Sequence, residues 1–292
     1  MFAESPLWKK IVIFVFILLF GVIFFSLFGS LLSKLLHWDD KSVEALKMLQ
    51  FFSAFGIFVF TPLLTAFLTT KEPGKFLNLK MADPRLLFLA LLSIIVIYPF
   101  INVVGVWNEG MHLPESLQSV ENWMKESEES AKVLTLQFLD THTIPGLIIN
   151  LIVIALIPAI GEELMFRGVI QQTLSAKVKN DHIAIWVTAF IFSAIHVQFF
   201  GFFPRFFLGA LLGYLLLYSG SIIVTMICHF MNNAFVIIYA YVSTPQKALG
   251  TDTSLPSLKA MVITGLLFLA MTIFILLTMK ANQKKWNGQS LS

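Results

Sequence analysis

The chain has 292 residues, of which 57% are hydrophobic and only 13% are charged. An ordinary soluble domain has about a quarter of its residues charged, so this composition excludes that class and indicates a polytopic membrane protein. The net charge of +3 is small, no basic tract indicates binding of nucleic acid, and the single cysteine, Cys228, excludes an intramolecular disulfide.

A helix of about 20 apolar residues is long enough to cross the hydrocarbon core of a membrane. In chain order, eight apolar segments approach or exceed this length. They lie at 9–36, 47–70, 84–107, 143–176, 182–200, 203–218, 221–242 and 257–280. Because irregular backbone cannot face lipid, the chain is predicted to be all-α, with 1–292 forming a single integral membrane domain. The first segment has no clear cleavage site after it, which predicts a retained span rather than a signal peptide.

Positive residues near the segment ends predict the orientation. They cluster most densely on the side that is cytoplasmic when the N-terminus is inside, for example at Lys9 and Lys10, at Lys177 and Lys179, and within 280–285. Cytoplasmic loops carry such an excess, so both termini are predicted to be cytoplasmic. The one long polar stretch, 108–142, is predicted to be an extramembrane, partly helical linker on the outer surface. The alternative for it is a lid or a substrate-guiding element.

Charged residues interrupt the fourth segment, where Glu162, Glu163 and Arg167 follow an apolar run. An ionisable residue within a span is costly, so it points to a function by default. On a helix, Glu163 and Arg167 share a face and can pair, whereas Glu162 is rotated by about 100°. A structural ion pair needs only one carboxylate. Glu162 is therefore the residue that needs a functional explanation, and it is free to face a cavity.

Two further polar groups lie in later segments. Phe192 and His196 are in the fifth, and His229 and Asn233 are in the seventh, where their spacing of four places both on one helix face. Either group alone is explained by hydrogen bonds between membrane helices.

Depth in the membrane favours convergence. Glu162 and His196 stand at equal sequence separations on either side of Lys179, so an antiparallel hairpin brings them to one level. His229 and Asn233 rise from the turn at 219–221 to a compatible depth. These four groups are therefore predicted to share one pocket in the cytoplasmic half of the bilayer.

The residue types in this pocket favour hydrolysis of an amide bond by activated water. A carboxylate with a histidine acts as a general base toward water, and His229 with Asn233 can donate hydrogen bonds to a developing oxyanion. No Ser–His–Asp arrangement on a strained turn is evident. Cys228 adjoins His229 in sequence, but neighbouring helical positions diverge, which argues against a thiol–imidazole pair.

The three motifs, E-E-x-x-x-R, F-x-x-x-H and H-x-x-x-N, occur in this order within about 140–245 and together resemble the CPBP family. This group of CAAX proteases and bacteriocin-processing proteins comprises intramembrane glutamic proteases and includes the type II CAAX prenyl endopeptidases. The resemblance implies a multi-helix membrane enzyme whose site opens toward the cytosol. It also implies roles: water activation by Glu162 and His196, an oxyanion site from His229 and Asn233, support from Glu163 and Arg167, and a pocket wall at Phe192.

Several alternatives stay open at this level. The implied partners are the bilayer and a membrane-associated peptide or lipidated protein, either a prenylated CAAX-type peptide or another membrane peptide. No cofactor is expected, although one carboxylate, two histidines and an asparagine could instead ligate zinc in a metal-dependent membrane protease. The non-proteolytic alternatives are a bacteriocin self-immunity factor, which could keep the same motifs, and a transporter-like scaffold.

Overall fold

The structure is a computed structural model that describes residues 2–249 and 257–288. Within these ranges the chain is helical and contains no strand, which confirms the all-α prediction. The longer helices are α1 (Leu7–Leu35), α2 (Val43–Thr69), α3 (Pro84–Glu109), α4 (Gln118–Leu139), α5 (Ile144–Val178), α6 (Asp181–Ala194), α7 (Phe202–Ser219), α8 (Ile222–Val242) and α9 (Leu258–Gly288). In the described part of the chain, seven helices are long and apolar enough to cross a membrane, namely all of these except α4 and α6.

The predicted fifth span, 182–200, differs from the helix that forms there. Helix α6 has only 14 residues, or about 21 Å at 1.5 Å per residue, which is short of a hydrocarbon core of about 30 Å. It ends at Ala194 because the chain reverses at Val197, whose φ is 53°. The hydroxyl of Ser193 donates to the carbonyl of Phe202 at 2.6 Å and holds α6 against the start of α7. His196 therefore lies in a turn and not in a membrane-spanning helix.

Parts of α2 and α5 adopt the wider π-helical conformation, at Phe55–Phe60, Leu151–Leu156 and Leu164–Ile170. The first two segments are followed closely by Pro62 and Pro158. A proline lacks the N–H of a regular helical bond and its ring crowds the carbonyl four residues earlier, and a wider turn relieves that clash. The two adjacent glutamates of α5 thus lie between π segments, which are frequent at functional sites.

Close contact between α2 and α5 fixes the rotation of the helix that carries the glutamates. A Cβ atom added at Gly161 would lie 2.6 Å from the Cβ of Phe58 and 3.1 Å from its carbonyl carbon. Such separations are well inside van der Waals contact, so only glycine allows the two backbones to approach this closely. The residues that follow, Glu162 and Glu163, are held in place relative to α2 as a result.

Helices α3, α7, α8 and α9 share a buried apolar cluster. It includes Leu86, Leu212, Cys228 and Met279, each fully or almost fully buried. The thiol of Cys228 therefore packs among apolar side chains, while the neighbouring His229 points to a different set of partners, described below. The two adjacent positions diverge as the helical geometry predicts.

The polar linker contains one 22-residue helix, α4, that lies against the turn between α6 and α7. The backbone N–H of Phe200 donates to a carboxylate oxygen of Glu128 at 3.3 Å. The rings of Trp123 and Phe199 are 5.4 Å apart. Because His196 is in the same turn, α4 covers the chain segment that carries a predicted site residue.

Glu121 ties the start of α4 to the segment before it. Its side chain is 4% exposed, and its carboxylate accepts hydrogen bonds from Lys125 at 2.6 Å, from His112 at 3.0 Å and from the N–H of Leu113 at 2.8 Å. The hydrogen bonds from Lys125 and His112, followed by the one from Leu113, lower the pKa of Glu121 from 4.5 to about 2. Each of them favours the ionised form.

Docking of the segment around Leu113 is expected to depend on pH through Glu121. A carboxyl with a lowered pKa contributes its full stabilisation above its unfolded value, near 4.5, and loses it as the pH falls toward about 2. Hydrogen exchange at the Leu113 amide, corrected for intrinsic rates, should show protection that fades in this window. Glu121→Gln should remove the pH dependence, and the exposed Glu115→Gln should retain it. Constant protection of the wild type down to about pH 2 would contradict this assignment.

Candidate active site

A buried charge network joins α5, α7 and α8. The predicted pair is present: Arg167 Nη1 donates to Glu163 Oε1 at 2.9 Å, and the two side chains are 1% and 0% exposed. The second nitrogen of Arg167 donates to the carbonyl of Gly209 in α7 at 2.8 Å. On the other side, His229 Nδ1 lies 2.9 Å from the same Glu163 oxygen. Glu163 is thus a structural link between α5 and α8, with its charge balanced by Arg167.

Glu162 differs from Glu163 in both exposure and partners. Its side chain is 14% exposed, and its carboxylate Oε2 lies 3.7 Å from His229 Nε2, which is longer than a hydrogen bond. Since Nδ1 of that ring is engaged by Glu163, the imidazole stands between the two carboxylates. The two glutamates therefore differ as helix geometry predicts. Glu163 is enclosed in an ion pair, and the carboxylate of Glu162 stays free.

His196 is held in a defined orientation by the backbone of the helix before it. Its Nδ1 donates to the carbonyl of Phe192 at 2.7 Å. In the neutral ring this leaves Nε2 as the acceptor nitrogen. Among the residues that the structure describes, Glu162 and His196 form no ion pair within 4.0 Å. The site thus has an oriented imidazole that is not in direct contact with the free carboxylate.

Phe192 connects the two histidines and the buried arginine. Its ring centroid lies 5.1 Å from that of His196 and 6.1 Å from that of His229. The guanidinium carbon of Arg167 stands 4.8 Å from the ring centroid, in a cation–π contact. Phe192 is itself buried, so it serves as an apolar wall that Arg167 and the two histidines share.

Asn233 lies one helical turn beyond His229 in α8. Its side-chain oxygen accepts a hydrogen bond from the amide of Asn232 at 3.2 Å. That bond does not use the amide N–H groups of Asn233. The spacing of four from His229 predicts that Asn233, and not its neighbour Asn232, shares the helix face of the site. The two side chains nevertheless meet at their ends, so Asn232 is a neighbour of the site that helix geometry missed.

Arg205 is a second residue that the motifs did not identify. It lies in the first turn of α7, is partly buried, and interacts through its charge with Glu162 and with Glu128 of the linker helix. The available signal was a lone arginine within the aromatic run Phe202–Phe207. An ionisable residue beside a span is a functional candidate by the same reasoning that identified Glu162.

Comparison with known proteins supports the resemblance stated from the motifs. Residues 144–235 match the family model described as type II CAAX prenyl endopeptidase Rce1-like. The matched range runs from the start of α5 into α8 and contains all three motifs. The resemblance to CAAX proteases is thereby confirmed for this part of the chain. Neither a curated protein nor a solved structure matches the chain.

Proposed function

We propose that the protein is an intramembrane endopeptidase that hydrolyses a peptide bond of a membrane-associated substrate with activated water. The observation that carries the proposal is the free carboxylate of Glu162 beside Glu163, whose Oε1 oxygen is bound by both Arg167 and His229. A purely structural network needs no second acid at this place. The family match over residues 144–235 supports the same class of reaction.

Glu162 is the proposed general base, and His196 is its partner in holding the water. Because Nδ1 of His196 donates to the Phe192 carbonyl, Nε2 is the nitrogen that can accept a hydrogen bond from water. A water between the two groups transfers one proton to Glu162 while its oxygen attacks the peptide carbonyl carbon. When the carbon–nitrogen bond breaks, Glu162 returns that proton to the leaving amine.

The developing oxyanion is assigned to His229 and Asn233. Glu163 holds His229 by Nδ1 at 2.9 Å, which leaves Nε2 as the nitrogen on the side of Glu162. Nε2 donates to the oxyanion when both ring nitrogens carry a proton. The amide N–H groups of Asn233 are not used in its bond with Asn232, and they supply the second donor. Donors that are already oriented stabilise an oxyanion without reorganisation.

An apolar groove favours a lipidated substrate over an unmodified membrane peptide. The groove has a volume of about 580 Å³ and lies between the start of α1, the ends of α2 and α5, and Ile191 near the end of α6, with Lys10 and Lys177 among its lining residues. Three of its lining residues also pack against the cluster of Phe166 and Phe192, namely Phe14, Ile170 and Ile191. A prenyl or acyl chain in this groove would be anchored beside the wall of the proposed active site.

Metal chelation is expected to leave the activity unchanged, because Glu162 and His196 suffice to activate water in the proposed mechanism. In the described part of the chain, no three His, Cys, Asp or Glu residues are arranged to hold a metal ion. Cleavage rates should be measured with and without 1,10-phenanthroline, with a zinc protease in the same detergent as the positive control. Loss of activity that added zinc restores would favour the metal-dependent alternative.

The function itself is tested by comparing peptide termini in membranes that contain the wild type or Glu162→Gln. Termini that depend on the wild-type protein and disappear with the variant are the expected result. They would also identify the substrate class directly. Identical sets of termini at equal protein levels would reject proteolysis and favour the non-proteolytic alternative, such as a self-immunity factor.

A further inference from the structure

The turn that carries His196 has a strained backbone. Val197 has a φ of 53°, a left-handed conformation that crowds the branched side chain of valine. A backbone of this kind persists only where neighbouring groups hold it in place. His196 directly precedes Val197, and the carbonyl of Phe192 orients its ring. Relaxation of the turn would therefore move the imidazole that is proposed to hold the water.

Asn108, near the end of α3, binds the chain that leaves this turn, and it is only 2% exposed. Its Nδ2 donates to the carbonyl of Phe199 at 3.0 Å, and its Oδ1 accepts from the backbone N–H of Phe203 at 2.9 Å. Phe203 lies in the first turn of α7, where a helix supplies no acceptor for its own N–H groups. One buried amide thus bridges the turn and the start of α7.

The helix that carries Asn108 is a firm support for this contact. The rings of Trp107 and Phe203 lie 5.0 Å apart, which adds an aromatic contact between α3 and α7. Further along, α3 belongs to the buried cluster that it shares with α7, α8 and α9. Because α8 carries His229, the same set of packed helices places both histidines of the proposed site.

Two other contacts on the turn are weaker as supports. Ser193 also binds the start of α7, but it belongs to α6 and moves with His196. Glu128 accepts from the N–H of Phe200 at the longer distance of 3.3 Å and is only half-buried. Asn108 combines burial, two short hydrogen bonds and a helix that is packed into the core. It is therefore the contact that we expect to control the turn.

We propose that Asn108 is a positioning residue, which holds the strained turn so that His196 Nε2 stays directed toward the water shared with Glu162. This inference rests on the proposed peptidase function and gives a role in it to a helix that carries no motif. Asn108 acts through the backbone of Phe199 and Phe203, and His196 stays the residue that binds the water. A small displacement of such a group is costly, because catalysis depends on its orientation.

Asn108→Leu is similar in size and removes both hydrogen bonds. It should lower kcat by roughly 10–100-fold and change KM by less than about twofold, because the misplaced group activates water and does not bind the substrate. The substrate is a peptide that contains one Glu162-dependent cleavage site. The matched control is Asn102→Leu, the same change on the exposed face of α3, which should behave as wild type. An unchanged kcat, or a loss confined to KM, would overturn the proposal.

The tautomer of His196 reports its position without any substrate. In the wild type, Nδ1 carries the proton that the Phe192 carbonyl accepts, and Nε2 of the neutral ring is unprotonated. Imidazole nitrogen NMR, with the signal assigned by comparison with His196→Gln, should show this form alone. Asn108→Leu should show a mixture of both neutral tautomers. A variant spectrum identical to that of the wild type, with only a lower melting temperature, would overturn the proposal and leave Asn108 as a contact that stabilises the fold.

Asn108→Asp provides a second variant should the leucine variant fail to fold. Its protonated carboxyl has a donor for Phe199 and an acceptor for Phe203, whereas its ionised form has no donor. Its rate, divided by that of the wild type at the same pH, should therefore fall as the pH rises. A ratio that stays constant over the pH range of activity would overturn the proposal. Absence of Glu162-dependent cleavage in the wild type would instead reject the proposed function, and the His196 spectra would still test the positioning.

Discussion

Glu162→Gln is expected to lower the rate constant of peptide cleavage by about 10²–10⁴-fold, the usual contribution of a general base. The amide is nearly identical in shape to the carboxylate but cannot take a proton from water. The fold should be preserved, because the nearest charged partner of Glu162, His229 Nε2, is 3.7 Å away and makes no hydrogen bond with it. Single-turnover rates in liposomes, together with a melting curve in detergent, measure the two effects separately.

The matched control for this variant is Glu126→Gln, which makes the same chemical change on the exposed face of α4. It should keep both the rate and the melting temperature of the wild type. A Glu162→Gln protein that retains the wild-type rate would remove Glu162 as the base. If Glu162→Gln lost the rate only because it no longer folds, its melting curve would show no unfolding transition, so the two causes can be told apart.

Glu163→Ala is expected to reduce the free energy of unfolding by about 3–5 kcal/mol, the cost of leaving one partner of a buried ion pair alone. Arg167 is 1% exposed and would retain only the carbonyl of Gly209 and the face of Phe192 as partners. His229 would at the same time lose the acceptor that orients its ring. Thermal or denaturant unfolding in one detergent, compared with the wild type, measures the loss.

A double variant shows whether the unpaired charge causes this loss. Glu163→Ala combined with Arg167→Met removes both charges and should be more stable than Glu163→Ala alone, because no isolated guanidinium remains in an apolar setting. An unchanged melting temperature in the single variant would contradict the pairing. A double variant that is less stable than the single one would assign the loss to the cavity rather than to the charge.

The sequence was enough to predict that one of the two adjacent glutamates pairs with Arg167 and that the other does not. A spacing of four places Glu163 beside Arg167, and adjacent positions diverge by about 100°. Both consequences are local, so they need no knowledge of the other helices. The pair forms even though the helix widens into a π segment at Leu164–Ile170, since the long arginine side chain accommodates the change.

The environment of His196 could not be predicted in the same way. The apolar pattern continues through 182–200 and predicts one long span, whereas α6 ends at Ala194 and the chain reverses at Val197. Valine is rarely found with a positive φ, so no local signal marks the turn. Its cause is tertiary: Ser193 binds the start of α7, and α4 packs on the turn from outside.

Arg205 was missed for a related reason. From the sequence alone it lies near the start of the predicted segment 203–218, and a cation near a helix end is ordinary because its side chain can reach the interface. Its closeness to Glu162 depends on the short α6 and the tight turn before α7, and the apolar pattern predicts neither of them. The predicted orientation, with both termini cytoplasmic and the site in the cytoplasmic half of the bilayer, stays a prediction.

In the proposed mechanism, hydrolysis depends on one water held between Glu162 and His196. An experimental density map that resolves ordered waters is the most direct measurement. We expect a water within about 3.2 Å of both a Glu162 carboxylate oxygen and His196 Nε2. A Glu162 carboxylate turned toward lipid, or a separation of more than about 6.5 Å between these two atoms, would contradict the mechanism, because no single water could then bind both.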